Sequence, residues 1–257
     1  MPVLEFQPAI DLATGRLIGF EALLRWDHPD RGTIAPGVLV PWAEANGQID
    51  ALNAWVFDEA CRQASGWPSG VQLAVNCSLV QLRHGEASVA LARAMTRRGL
   101  NPDRVTVEIT ESAVADDRAN QDLRNLTRLG VHLAVDDVGT SWATLENLRR
   151  FAIETAKIDR NFVSALERPG GMNRAIVEAI VNISHSLAMS TVAEGVETAG
   201  QVTSLQEIGA DVAQGFFFSP PVTGGEAINM ANAEPAMAFS LATGDQKTPT
   251  PSPLPNI

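Results

Sequence analysis

The stretch VLEFQPAIDLATGRLIGFEALLRW, residues 3–26, decides the fold of this chain. Two apolar runs, residues 3–10 and 17–26, are separated only by DLATGR at residues 11–16. Six residues that include a glycine are too few for a crossover helix, which a parallel pair of strands requires. The stretch therefore predicts two strands that form an antiparallel hairpin.

Six further apolar runs follow, and helical patterns separate most of them. These runs are residues 71–76, 104–110, 131–137, 153–159, 190–196 and 211–218. Strands that alternate with helices favour crossover connections and a parallel sheet. A chain of 257 residues has the length of an ordinary single-domain barrel. The predicted fold class is α/β, a modified TIM-like (β/α)8 barrel with one antiparallel strand.

Composition divides the chain into two segments. Residues 1–232 carry the strand and helix patterns and predict the barrel domain. After residue 232 the pattern fades, and four prolines fall in the last nine residues. A segment of this composition buries too little apolar surface to fold. Residues 233–257 are therefore predicted to be a Pro/Thr-rich, disordered tail.

The overall charge and the cysteine pattern exclude several classes of protein. The formal net charge is −11, which disfavours binding to DNA, RNA or an anionic membrane surface. No apolar run is long enough to span a membrane, and the N-terminus lacks the pattern of a signal peptide. The two cysteines form no CxxC motif, and no two histidines have zinc-ligand spacing. These features predict a cytoplasmic protein without a zinc site.

Acidic and amide side chains mark the ends of the predicted strands. They are Glu21, Asn76, Glu108, Asp136, Asp137, Asp159, Glu194 and Gln214, with Glu111 just beyond the fourth strand and Lys157 on the sixth. A single one of these acids could simply cap the helix that follows it. In a parallel barrel, however, all of them fall toward the C-terminal face, where barrel active sites lie. The set therefore predicts a site on this face.

The residue types indicate the chemistry of that site. Carboxylates and an amide are hard oxygen ligands, which suit Mg²⁺ or Mn²⁺. Adjacent aspartates can serve two ions, and two ions about 4 Å apart can activate a water for phosphoryl displacement. Lys157 could hold that water or the developing charge. Arg25 could reach a phosphate with its planar guanidinium.

Seven motifs then occur in the order found in EAL domains, and the chain resembles that family from about residue 5 to residue 222. They are EALLRW (21–26), VNCS (75–78), EITES (108–112), DDVGTS (136–141), KID (157–159), AEGVE (193–197) and QGF (214–216). The resemblance implies a barrel with one antiparallel strand. It also implies metal-dependent hydrolysis of the bacterial messenger cyclic di-GMP to linear pGpG.

The resemblance also implies a role for each matching position. The residues implied to hold metal are Glu21, Asn76, Glu108, Asp136, Asp137 and Glu194. Glu194 is implied to be either a ligand of the second ion or the base that takes the proton of the water, and Lys157 lies near that water. The substrate-side or supporting positions are Gln7, Arg25, Asp159 and Gln214. Glu111 matches the glutamate that anchors the loop after the fifth strand.

That loop departs from the family pattern. The family usually reads DDFGTGYSSL, whereas this chain reads DDVGTSWATL. Val138, Ser141, Trp142 and the pair Ala143–Thr144 differ from the family residues. In the family the loop supports the metals and contributes to a dimer interface. A homodimer is therefore an implied partner, and low activity is an expected consequence of the altered loop.

Two other functions compete with the phosphodiesterase. The first is an EAL domain that binds cyclic di-GMP as a receptor, or binds another protein, without turning the nucleotide over. The second is a barrel glycosidase that uses two of the carboxylates. Sugar sites favour aromatic platforms, whereas aromatic residues make up only 5% of this chain and tyrosine is absent. Turnover of cyclic di-GMP with Mg²⁺ or Mn²⁺ would separate enzyme from receptor.

Overall fold

The structure, a computed structural model, describes residues 2–28, 32–138, 150–167, 171–233 and 239, with the backbone alone of Thr33 and Asp137. Within these residues eight strands close into a barrel. In chain order they are β1 (Pro2–Asp11), β2 (Leu17–His28), β4 (Gln72–Asn76), β5 (Val105–Thr110), β6 (His132–Val138), β7 (Thr155–Ile158), β8 (Ser190–Ala193) and β9 (Val212–Ala213). The short strands β3 (Gly32–Ile34) and β10 (Val222–Thr223) pair antiparallel with β2 and β1, respectively.

Helices follow most of the strands and cover the outside of the barrel. They are α1 (Pro36–Ala45), α2 (Ile49–Ala64), α3 (Leu79–His84), α4 (Ala87–Arg98), α5 (Glu111–Val114), α6 (Asn120–Leu129), α7 (Arg160–Val163), α8 (Met172–Ser186), α9 (Ala199–Ile208) and α10 (Gly224–Asn232). In the described part of the chain, no helix has both the length and the apolar character that crossing a membrane requires.

The predicted hairpin and its reversed strand are confirmed. β1 runs antiparallel to β2 and to β9, and the remaining pairs around the ring are parallel. Asp11 shapes the turn, because its Oδ1 accepts from the backbone N–H groups of Ala13 and Thr14 at 3.1 and 2.7 Å. The pairing sets Gln7 opposite Glu21, so both side chains lie on the inner face of the barrel.

The last two predicted strands end several residues before their apolar runs do. The run over 190–196 gives a strand only to Ala193, and the run over 211–218 gives a strand only over Val212–Ala213. The reason is that the two segments turn and pair irregularly with each other. Val196 donates its N–H to the carbonyl of Gln214 at 3.1 Å, and Phe217 donates to the carbonyl of Val196 at 2.9 Å.

The core lies between the sheet and the helices, with aromatic packing near the hairpin. Trp67 is buried against Phe6 and Phe20, at ring centroid distances of 5.4 and 5.0 Å. Beyond Ala233 the structure describes only Phe239. Its N–H donates to the carbonyl of Gly15 at 2.9 Å. The predicted disorder of the tail otherwise lies outside the described residues and stays a prediction.

Candidate active site

The ammonium group of Lys157 is the centre of the site. Lys157 is only 1% exposed, and it projects from β7 into the barrel. Its Nζ lies 2.6 Å from Glu108 Oε2, 2.6 Å from Glu194 Oε1 and 3.2 Å from Glu21 Oε2. Asp136 Oδ1 is 3.7 Å away. Four carboxylates, three within β2, β5 and β6 and one just after β8, therefore converge on one buried cation.

Two amides extend this cluster. Asn76, at the end of β4, donates from Nδ2 to Glu21 Oε1 at 2.8 Å. Gln214, just after β9, donates from Nε2 to Glu21 Oε2 at 2.7 Å and to Glu194 Oε1 at 3.2 Å. Gln214 thus joins two carboxylates, which favours a role in positioning them over direct contact with substrate.

The cluster shifts the pKa values of its members in opposite directions. Burial raises the pKa of Glu21, but the charge of Lys157 and the amide hydrogen bonds outweigh burial and leave the pKa lowered. Burial, with the nearby Glu21, holds the pKa of Glu108 well above its usual value. Burial opposes the charge on Lys157, yet the surrounding carboxylates keep its pKa well above normal.

Glu194 has a carboxyl group whose pKa lies near neutral pH. Burial is the main cause that raises the pKa of Glu194, to about 7, with a further rise from Asp136 and an opposing effect of Lys157. Its side chain is 20% exposed, so it can exchange a proton with solvent or with a bound water. A group of this kind is suited to general base chemistry.

A bulge in β6 lies at the two adjacent aspartates. Val135 pairs with Ala156 and Val138 pairs with Ile158, so three residue steps on β6 face two on β7. Asp136 and Asp137 therefore lie opposite Lys157. The side chain of Asp137 lies outside the described residues, as do Ser141, Trp142, Ala143 and Thr144. Glu111 is buried at the start of α5, on the same face.

The remaining predicted residues lie around the cluster without joining it. Gln7 donates from Nε2 to the carbonyl of Ser219 at 2.7 Å. Asp159 caps α7, because its Oδ1 accepts from the N–H of Asn161 at 2.8 Å. Arg25 donates from Nε to Glu5 Oε2 at 2.8 Å.

The sequence analysis did not identify Glu5, the residue that pairs with Arg25. The hairpin register would have revealed it, because Gln7 opposite Glu21 places Glu5 on the same inner face, two residues nearer the rim.

The donor set of the cluster fits divalent metal chemistry. Hard oxygen donors with excess negative charge favour Mg²⁺ or Mn²⁺. In the part of the chain that the structure describes, no three acidic, histidine or cysteine side chains are arranged to share one ion. The carboxylates are directed at Lys157 instead, so metal binding would require some of these oxygens to turn toward the ion.

Comparison with known proteins identifies the family. The sequence model of the EAL domain family matches residues 3–221. The bifunctional diguanylate cyclase/cyclic di-GMP phosphodiesterase MucR of Pseudomonas aeruginosa is 39% identical over 226 residues, which are 86% of this chain and 33% of MucR. The chain spans between about a quarter and a third of the length of the curated relatives it matches.

Two solved structures share the fold. The PaMucR phosphodiesterase in complex with c-di-GMP has a TM-score of 0.83 at 37% identity, covering 88% of this chain and 93% of that one. Klebsiella pneumoniae BlrP1 in a manganese/cy-diGMP complex has a TM-score of 0.76 at 31% identity, covering 87% and 56%. The ordered motifs, the reversed first strand and these matches agree, and the chain belongs to the EAL domain family.

Proposed function

We propose that this chain is a metal-dependent phosphodiesterase that hydrolyses cyclic di-GMP to linear pGpG. The observation that carries the proposal is the convergence of four carboxylates on the buried Lys157 at the C-terminal face of the barrel. The name of the relative MucR includes the same activity, and the solved PaMucR phosphodiesterase holds c-di-GMP.

The acidic side chains supply the metal sites in this proposal. The residues that would hold two Mg²⁺ or Mn²⁺ ions are Glu21, Asn76, Glu108, Asp136, Asp137 and Glu194. Such a pair of ions acidifies a water and offsets charge on the phosphate oxygens. Carboxylates that are buried together repel one another or take up protons. The raised pKa values of Glu108 and Glu194, caused first by burial and then by Glu21 and Asp136, agree with this.

The other residues handle the proton and the substrate. Glu194 is either a ligand of the second ion or the base that takes the proton of the attacking water, and its partly exposed carboxyl and raised pKa in the metal-free protein support the second role. Lys157 holds positive charge beside the reacting oxygens. In this proposal Gln7, Arg25 and Asp159 bind or support the substrate. Gln214 belongs with them, although its hydrogen bonds to Glu21 and Glu194 favour a positioning role.

The test is turnover by the purified chain. Cyclic di-GMP is incubated with Mg²⁺, with Mn²⁺ or with excess chelator, and the products are separated by chromatography. We expect pGpG with either metal, none with chelator, and none from Glu21→Gln. Glu59→Gln is the matched control, since Glu59 pairs with Arg62 on the surface of α2. Equal turnover in chelator would rule out the metal mechanism.

The receptor function is the second candidate, because the loop after β6 departs from the family pattern at Val138 and at residues 141–144. Saturable binding of cyclic di-GMP without product, at saturating metal, would establish it in place of the enzyme. Homodimer formation and a cytoplasmic location stay predictions from the sequence.

A further inference from the structure

A second arginine lies on the C-terminal face of the barrel, two residues after the end of β7. Arg160 is the first residue of α7, and its side chain is exposed. In the described part of the chain its guanidinium makes no hydrogen bond or ion pair. Arg25, in contrast, donates from Nε to Glu5 Oε2 at 2.8 Å. Arg160 can therefore take an anion without breaking an existing pair, whereas Arg25 must first release Glu5.

The stem of Arg160 is held against the loop that carries Glu194. A Cβ added at Gly195 would lie 2.6 Å from Arg160 Cβ and 3.8 Å from its Cδ, so the stem passes directly over the backbone of Gly195. Gly195 has a φ of 66°, a conformation that favours glycine. Glu194 in turn donates its N–H to the carbonyl of Ile158 at 3.1 Å. Because Arg160 follows Lys157 by three residues, their Cα atoms are at most about 11 Å apart.

Arg160 and Arg25 lie on opposite sides of the cluster around Lys157. In the closed ring, three strands separate β7 from β2 in either direction. Arg25 shares the inner face of β2 with Glu21, and Arg160 follows β7, which carries Lys157. The distance of 3.2 Å between Lys157 Nζ and Glu21 Oε2 spans the barrel between these two strands. A molecule centred on the cluster therefore has one arginine on each side.

The substrate of the proposed reaction has a charge for each of these positions. Cyclic di-GMP carries two phosphodiesters on opposite sides of one ring, and each bears a negative charge. In the proposed reaction one diester lies at the metal ions and is cleaved. The other remains beside an acidic cluster, in a protein of net charge −11, and requires a cation of its own. A guanidinium suits it, because the planar fork donates two parallel hydrogen bonds to phosphate oxygens.

We propose that Arg160 binds the second, non-reacting phosphodiester of cyclic di-GMP and so seats the other diester on the cluster. The inference rests on the proposed phosphodiesterase function and adds a substrate-binding residue to it. Arg160 contacts a part of the substrate that does not change during the reaction. It therefore stabilises the bound substrate and the transition state equally, and its loss raises KM without lowering kcat.

The first experiment removes the guanidinium. Steady-state kinetics with cyclic di-GMP at saturating Mg²⁺ are compared for the parent, Arg160→Gln and Arg160→Lys. We expect KM to rise about tenfold in Arg160→Gln, as for the loss of a charge-assisted hydrogen bond, and kcat to stay the same. The rise should be smaller in Arg160→Lys, which keeps the charge but loses the planar fork. Arg93→Gln, which removes the same charge from an exposed position on α4, is the control and should leave both constants unchanged.

The second experiment identifies the part of the substrate that Arg160 contacts. The probe is an analogue of cyclic di-GMP in which an uncharged formacetal linkage replaces one phosphodiester. In the parent the KM for the analogue should exceed that for cyclic di-GMP about tenfold, whereas Arg160→Gln should process the analogue with the same KM as the parent does. If Arg160→Gln raises the KM for the analogue as much as for cyclic di-GMP, Arg160 does not contact the second phosphate and the inference is wrong.

The inference and the proposed function fail in different ways. Product formation by the parent with an unchanged KM in Arg160→Gln would overturn the inference alone. If the parent makes no product, the phosphodiesterase proposal fails, and calorimetric titration at the same Mg²⁺ concentration then replaces KM by Kd, with the same ratio expected between the two proteins. An equal Kd, or no binding by the parent, would overturn the inference. Circular dichroism checks folding, which Gln preserves because it keeps the Cβ and Cδ that pack over Gly195.

Discussion

At the scale of one residue, the ion pair between Arg25 and Glu5 competes with the proposed binding of a substrate phosphate to Arg25. Its guanidinium is the group best suited to a phosphate, yet its Nε donates to Glu5 Oε2 at 2.8 Å. The two side chains are 21% and 37% exposed, so the pair is open to solvent and weak. A phosphate that engages Arg25 must first displace Glu5.

We therefore expect Glu5→Gln to lower the KM for cyclic di-GMP about threefold, which corresponds to the 0.2–1 kcal/mol typical of an exposed ion pair. The kcat should stay the same, because Glu5 does not contact the Lys157 cluster. Steady-state kinetics at saturating metal measures both constants. Glu178→Gln, which breaks the surface pair with Arg174, is the control. In an Arg25→Gln background the effect of Glu5→Gln should vanish. If the effect persists there, Glu5 acts through its charge alone.

Glu194 makes the stability of the metal-free protein depend on pH. Folding raises its pKa from the ordinary value of 4.5 to about 7. The folded state thus holds this proton more tightly than the unfolded state. The resulting stability is fully present below about pH 4.5 and is lost as the pH rises through 7.

Replacing Glu194 by Gln removes this titration. Between about pH 5 and pH 8, the metal-free parent should lose on the order of 1–2 kcal/mol more unfolding free energy than Glu194→Gln. Urea denaturation in chelator at the two pH values gives the difference. Glu178→Gln should behave as the parent does. Parallel pH profiles for parent and Glu194→Gln would show that this carboxyl does not titrate in that window.

At the scale of elements, the segments that follow β8 and β9 depend on one close backbone contact. A Cβ added at Gly215 would lie 2.2 Å from the backbone N and O of Val196. Those atoms make the hydrogen bonds to Gln214 and Phe217 that hold the two segments together. Because Gln214 also joins Glu21 to Glu194, the same contact positions part of the carboxylate cluster.

Gly215→Ala should therefore destabilise the protein by about 1–3 kcal/mol, the usual cost of forcing atoms into a packed interior. It should also lower turnover, since Gln214 moves with the segment. Gly225→Ala in α10 is the control, because nothing lies within 4 Å of an added Cβ there. Urea denaturation and turnover are measured on both variants. A Gly215→Ala protein as stable and active as the control would mean that the segments shift freely.

The sequence predicts those elements whose cause is local. The hairpin follows from six turn residues between two runs, and the placement of Glu21 and Glu108 follows from alternation along strands. The short ends of β8 and β9 were not predictable, because a contact between two distant segments sets them. The bulge at Asp136–Asp137 cannot be recognised from the pattern of apolar residues. The convergence of four carboxylates on Lys157 likewise required the closed ring.

For the whole molecule, the net charge of −11 and the acidic cluster lead us to expect that the proposed metal binding stabilises the folded state. A ligand that binds only the folded state stabilises it by about 2.7 kcal/mol at one hundred times its Kd. We expect Mg²⁺ or Mn²⁺ to raise the unfolding free energy by this order, and Glu108→Gln to abolish most of the gain. Thermal unfolding with NaCl of matched ionic strength is the control. If NaCl raised the unfolding free energy equally, the stabilisation would come from screening of surface charge and not from metal binding.

The reversed first strand ties the start of the chain to its far end. β1 pairs with β2 at once, but its other edge meets β9, where Ile10 lies opposite Ala213, about 200 residues later. During synthesis on the ribosome, β1 can therefore pair with β9 only after nearly the whole barrel has emerged. The delay affects the rate of folding far more than the final stability. Until then the sheet is open and has two unpaired edge strands. Such edges can pair with strands of other nascent chains and so cause aggregation. A chain cut before residue 212 would remain in that aggregation-prone state, however intact its carboxylates.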